Sequence, residues 1–118
     1  MRKFDIGSKK VADGIVLIRV TGWLDAHTFD LMDQAINNHF SEGNVKLIID
    51  IEHVEYISSA GAGVFIGAFS TAQEQGGNVV LLNPAQGVRE VFDLLGLSQI
   101  FKFATTIQEG VQLVNSPA

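Results

Sequence analysis

The stretch Asp50-Ile-Glu-His-Val-Glu-Tyr-Ile-Ser-Ser-Ala-Gly-Ala-Gly-Val-Phe-Ile-Gly-Ala-Phe69 decides how the rest of the chain is read. It is entered by a β-branched, almost uninterrupted apolar run, Val45 to Ile51, of the kind that forms a strand covered on both faces. Glu52, His53 and Glu55 then predict a loop. Ser58 and Ser59 stand immediately before a helical pattern, where serine is a favoured N-cap. Strand, loop and helix in this order predict an α/β architecture with a hydroxyl at a helix N-terminus. The free N–H groups of a first helical turn and the helix dipole favour an anion there. A cap contributing roughly 1 kcal/mol over alanine is the plainer use of the same serine. The residues alone leave both uses open.

Stepping about 100° per residue along that helix gathers Ala62, Val64, Phe65, Ile66, Ala68, Phe69 and Ala72 into one wide apolar arc. Gly63, Gly67, Ser70 and Glu74 fall on the other side. A glycine inside a helix costs about 1 kcal/mol relative to alanine. Gly63 and Gly67, four apart on one face, therefore predict a close approach, either by another part of the fold or by a partner protein.

Upstream, Phe4 to Val11 and Ile15 to Thr21 read as two strands of a hairpin turning through Ala12-Asp13-Gly14. Trp23 follows the second strand and is either packed against it or exposed as an anchor for a partner. Asp25 or Thr28 is placed to cap a helix whose Phe29, Met32, Ile36 and Phe40 recur at spacings of three and four. That helix ends near Ser41-Glu42-Gly43. Downstream, Gln75-Gly76-Gly77 closes the central helix and Asn78 to Leu82 forms a short buried strand. Asn83-Pro84 is expected to open a helix with Val88, Val91, Phe92 and Leu95 as its apolar stripe, stopped by Gly96. Ile100 to Phe103 is expected as a strand and Thr105 or Thr106 as the start of a last helix holding Ile107, Val111 and Val114. Asn115 to Ala118 is expected to fray.

The chain has 118 residues, no Cys and 47% hydrophobic content, which suits one domain over residues 1–118, of cytoplasmic type. Met1-Arg2-Lys3-Phe4-Asp5 turns charged too early for a secretory signal, and no apolar run approaches the roughly 18 residues of a membrane span. A net charge of −5 with eight Lys plus Arg argues against nucleic acid, whose backbone is bound through basic residues. An acidic chain is expected to meet a protein. Gly61, Gly63 and Gly67 space as GxGxxxG, and no acidic residue ends the next strand at Leu82-Asn83, so a dinucleotide site is not expected. Ser59 is not in a GxSxG elbow, and His27, His39 and His53 have no triad context. Without Cys, three scattered His give no zinc-ligand spacing. Neither an enzyme nor a cofactor or metal site is expected.

Asp50 to Gly67 resembles the signature of the stand-alone STAS domains that act as bacterial anti-sigma factor antagonists. The residues that carry the likeness are Asp50-Ile51, Val54 and the run Tyr56-Ile57-Ser58-Ser59-Ala60-Gly61-Ala62-Gly63-Val64-Phe65-Ile66-Gly67. Gly22-Trp23-Leu24-Asp25 is similar to the family's Gly-x-Leu-Asp element. Pro84, Val88-Arg89-Glu90-Val91-Phe92-Asp93 and Gly96-Leu97 extend the similarity over nearly the whole chain. Ser58 departs from the family's Asp, Ala60 from its second hydroxyl residue, and Trp23 from its frequent Glu. Ala68 and Ser70 stand where relatives often carry basic residues.

The resemblance implies the STAS fold, a single mixed β-sheet of about four to five strands with about four helices. It implies that Ser59 is the phosphorylation site, with Ser58 the alternative, and that Asp25 lies near it, as a simple cap or to orient the hydroxyl and repel a phosphate. The partner surface it implies comprises Trp23, Asp25, Ser58, Ser59, Ala62, Gly63, Gly67 and Ser70. The implied function is an anti-sigma factor antagonist. Unphosphorylated, it binds an anti-sigma factor with serine kinase activity and so releases a sigma factor; a serine phosphatase reverses the mark. ATP and magnesium belong to that kinase, not to this chain. The competing reading is a STAS subunit of a transport or stress-signalling assembly with no phosphorylation cycle.

Overall fold

The computed structural model describes residues 3–116. Asp13 and Gly14 make the first turn, with Gly14 at φ 71°, a left-handed conformation that a residue without a Cβ adopts freely. Strands β1 (Asp5–Ala12) and β2 (Ile15–Leu24) leave it antiparallel. β3 (Lys46–Ile57), β4 (Asn78–Leu82) and β5 (Lys102–Ala104) then add in parallel, in the order β1-β2-β3-β4-β5. The connections are the helices α1 (Phe29–Ser41), α2 (Ser59–Glu74) and α3 (Gln86–Leu94), and α4 (Ile107–Val114) closes the described chain. The mixed sheet of five strands with four helices agrees with the expected architecture.

Strand alternation divides the apolar residues between two layers. Ile18, Val20, Leu24, Ile49, Ile51 and Ile57 face Met32, Ile36 and Phe40 of α1, Ala62, Phe65 and Ala72 of α2, and Val88 and Phe92 of α3. Phe65 meets Phe92 edge-on at 5.5 Å and Phe101 at 6.4 Å, the arrangement that the ring quadrupole favours. The opposite face buries Ile15, Leu17, Ile48, Val80 and Leu82 beneath Val114 of α4.

Several boundaries differ from expectation, each for a physical reason. β3 does not stop near Asp50 but runs on to Ile57, so Glu52, His53 and Glu55 lie in a strand. Pairing with β2 carries it, through Thr21↔His53, Gly22↔Val54, Trp23↔Tyr56 and Leu24↔Ile57, with two register shifts on the way. Val54 and Ile57 enter the core while Glu52, Glu55 and Tyr56 meet solvent. α3 begins at Gln86, not at Asn83-Pro84. Asn83 sits at φ 52°, and its N–H donates to Ala104 O at 2.9 Å, which keeps it on the sheet and out of the helix. Leu95 of the expected α3 stripe is exposed, as is Ile66 of the expected α2 arc. A 3-10 turn at Leu97–Gln99 moves the last strand from the expected Ile100 to Phe103 on to Lys102–Ala104. Asn115, expected in a frayed tail, accepts a 2.9 Å hydrogen bond from Lys46 Nζ; Pro117 and Ala118 lie outside the described residues, as do Met1 and Arg2.

Candidate functional site

The register places β4's last partner at Asp50 and β1's first at Thr21. Beyond those points β2 and β3 continue as a two-stranded ribbon, residues 22–24 beside 54–57. α2 starts directly from its end. Ser58 is extended, at φ −95° and ψ 173°, and its N–H donates to Leu24 O at 3.0 Å. Its Oγ accepts from the Gly61 N–H at 3.2 Å and its carbonyl from the Ala62 N–H at 2.8 Å. Ser58 is therefore the N-cap. Ser59 is the first helical residue and is exposed, and its hydroxyl has no hydrogen-bond partner among the described residues. The capping use expected of a serine at this helix start thus falls to Ser58, and Ser59 presents an accessible hydroxyl.

Gly61 draws this corner tight. A Cβ there would lie 2.5 Å from Leu24 O and 2.9 Å from Leu24 Cγ, so the first turn of α2 rests against the end of β2 through a bare backbone. Asp25 follows Leu24 and enters the same corner. Its Oδ1 accepts from the His27 N–H at 2.9 Å, its own N–H donates to Thr28 Oγ1 at 3.0 Å, and the Thr28 hydroxyl donates to Trp23 O at 2.7 Å. Asp25 thus fixes the turn out of β2, while Thr28 occupies the N-cap position of α1 with no side-chain cap bond. The chain places Asp25 one residue from the carbonyl that holds Ser58.

Other expected site residues scatter around this corner. Trp23 is 42% exposed and lies against Tyr56, which is 47% exposed, with ring centroids 5.2 Å apart. Gly63, Gly67 and Ser70 are exposed along the outer side of α2, and a Cβ at Gly63 or Gly67 would meet nothing within 4 Å. No described part of this fold makes the close approach expected at those two glycines. Ala62 is turned inward, 1% exposed in the core beside Phe65, so its side chain is not on the surface where it was expected. Asp50 is 5% exposed and accepts from Arg19 Nε at 3.0 Å and from the Glu52 N–H at 3.1 Å; it closes the sheet rather than facing a ligand.

The sequence reading gives Tyr56 and Gly61 no place at this corner and sets the exposed Ile66 in the apolar arc. Tyr56 is a surface residue because β3 extends past Asp50 and turns its ring to solvent. Gly61 shared its helix and its spacing with Gly63, and periodicity reports a face without reporting what opposes it. His27, His39 and His53 stay apart: His39 contacts Ser8 Oγ at 3.1 Å and His53 lies 3.4 Å from Glu52. Among the described residues no cluster of three His, Asp or Glu could hold a metal ion, and no helix is long and apolar enough to cross a membrane.

The chain is thus an α/β domain whose glycine-tightened strand-to-helix corner holds Ser58 as a helix cap and presents the hydroxyl of Ser59. Residues 8–110 match the STAS domain family, and the chain belongs to it. It is 32% identical over 85 residues to a Listeria monocytogenes protein named anti-sigma-B factor antagonist, an alignment covering 72% of this chain and 75% of the relative. A crystal structure of a Thermotoga maritima protein described as a candidate anti-sigma factor antagonist superposes with a TM-score of 0.84 at 24% identity, covering 96% of this chain and 95% of the other, and so speaks for the fold. The Bacillus cell fate determinant SpoIIAA in its phosphorylated form matches with a TM-score of 0.73 at 25% identity, over 92% of this chain and 99% of that one. Relatives with these names are regulators, and the chain is not an enzyme.

Proposed function

We propose that this chain is an anti-sigma factor antagonist, a cytoplasmic one-domain module that binds an anti-sigma factor through the corner where β2 ends and α2 begins. The observation that carries the reading is the exposed, unbonded hydroxyl of Ser59 at the start of α2, with Ser58 as the helix cap and Asp25 next in the chain to Leu24, whose carbonyl holds Ser58. Membership of the STAS family and the names of the relatives support it. The anti-sigma factor is also the kinase that transfers the γ-phosphoryl group of ATP to Ser59 Oγ, and a serine phosphatase removes it. Trp23, Asp25, Ser58, Ser59, Gly63, Gly67 and Ser70 form the contact surface, and Ala62 supports it from below.

Phosphate at Ser59 adds about −1.5 to −2 charges. The free N–H groups of α2 and its dipole accommodate that charge within this chain, so the mark leaves the fold intact. A partner faces the same charge at close range, alongside Asp25, with no water to screen it. Desolvation and repulsion then expel the partner.

Calorimetric titration of the anti-sigma factor kinase encoded in the same genome tests this. Ser59→Ala is expected to bind as wild type does, and Ser59→Asp at least about tenfold more weakly. Equal affinities for wild type, Ser59→Ala and Ser59→Asp would remove the switch and favour a constitutive STAS subunit.

A further inference from the structure

Trp23 and Tyr56 pair across the ribbon with their rings tilted by 49°. Leu24 and Ile57, the next residues along each strand, are buried beneath α1 and α2, so strand alternation turns the two rings to the opposite face of the sheet. α4 covers that face over Ile15, Leu17, Ile48, Val80 and Leu82, and the ribbon extends past it with both rings half-exposed. Carboxylates lie at the same end of the sheet: Glu52 on β3, 3.4 Å from His53, Asp25 after β2, and Asp5, which the register sets opposite Thr21. Arg19, the nearest cation along β2, is engaged by Asp50, and Lys3 lies just before β1.

We infer that this aromatic ledge seats an arginine or lysine side chain of a protein partner, with the positive group over the Trp23 and Tyr56 rings and the neighbouring carboxylates completing its charge. The inference rests on the reading of this end of the fold as the partner surface and makes no use of phosphorylation. Ring faces attract a cation through their quadrupole, and more strongly as water is excluded. Exposed Trp and Tyr are the residue types that dominate interface energetics. An apolar occupant would bring no positive charge to Asp25 and Asp5, at a desolvation penalty. A nucleic acid would bring phosphates against these carboxylates. A cationic side chain satisfies rings and carboxylates together.

Trp23 is the single tryptophan of the chain, so its emission reports the ledge directly. The full chain is titrated with a hexa-arginine peptide at physiological salt, by fluorescence and by amide-resolved NMR. The Trp23 indole and Tyr56 signals should move saturably, and hexa-glutamate should leave them unchanged. Trp23→Ala, followed by NMR, and Tyr56→Leu, which keeps apolar area but lacks the ring face, should each weaken binding about fivefold. Circular dichroism checks that both variants fold; if Trp23→Ala does not, Tyr56→Leu decides alone. The inference is overturned if binding is absent, if the shifts spread over Glu74, Glu90 and Asp93 instead, or if Tyr56→Leu binds as wild type does. Neither the peptide nor the readout involves a kinase, so failure here leaves the proposed function standing, and failure of the Ser59 switch leaves this result unaffected.

Discussion

A methyl group has no room at Gly61, because the Leu24 carbonyl and side chain already occupy the space a Cβ would take. Gly61→Ala is expected to destabilise the protein by about 1–3 kcal/mol, measured by urea unfolding, since the ribbon end or the first turn of α2 must shift. Gly63 and Gly67 stand in open space on the outer side of the same helix. Gly63→Ala or Gly67→Ala should therefore raise stability, by up to about 1 kcal/mol from helix propensity, while weakening the partner complex if the partner's backbone comes close there. A variant that is more stable and binds undiminished would strip those glycines of a contact role. The spacing of the three glycines was legible in the sequence. Their division of labour was not, because it depends on the end of a strand some forty residues earlier in the chain.

At the scale of elements, the sequence was most readable where periodicity was strong and one face was covered. α1 runs Phe29–Ser41 with Met32, Ile36 and Phe40 buried, as its spacing predicts. β3 was cut short because its second half is charged on the face that meets solvent, and alternation there is broken by register shifts against β2. Asn83-Pro84 has the chemistry of a helix start, yet Asn83 continues the sheet's hydrogen bonding with Ala104 and α3 begins later. The α3 end also carries a pH signature. The Ser98 hydroxyl first, and the Arg89 guanidinium second, hold the Asp93 carboxyl below its ordinary value. A carboxylate held low stabilises the fold above its unfolded pKa of about 4 and loses that contribution as pH falls through the lower folded value. Asp93 is exposed, so the effect is small. Urea midpoints of wild type and Asp93→Asn should converge as the solution is acidified below about pH 4; a gap that widens there would contradict this assignment.

At the scale of the whole molecule, the sheet separates support from presentation. α1, α2 and α3 bury one face, α4 covers part of the other, and the β2–β3 ribbon projects beyond both with Ser58, Ser59, Asp25 and the Trp23–Tyr56 pair at its end. The Ser59 hydroxyl makes no hydrogen bond among the described residues, so in the proposed switch a charge placed there acts on a partner and not on the core. Phosphopeptide mass spectrometry on the protein recovered from its own cells, in growth and under stress, over the peptide holding Ser58 and Ser59, tests the switch most directly. The account predicts phosphate on Ser59 in an amount that changes with condition. Phosphate confined to Ser58, or none in any condition, would contradict it.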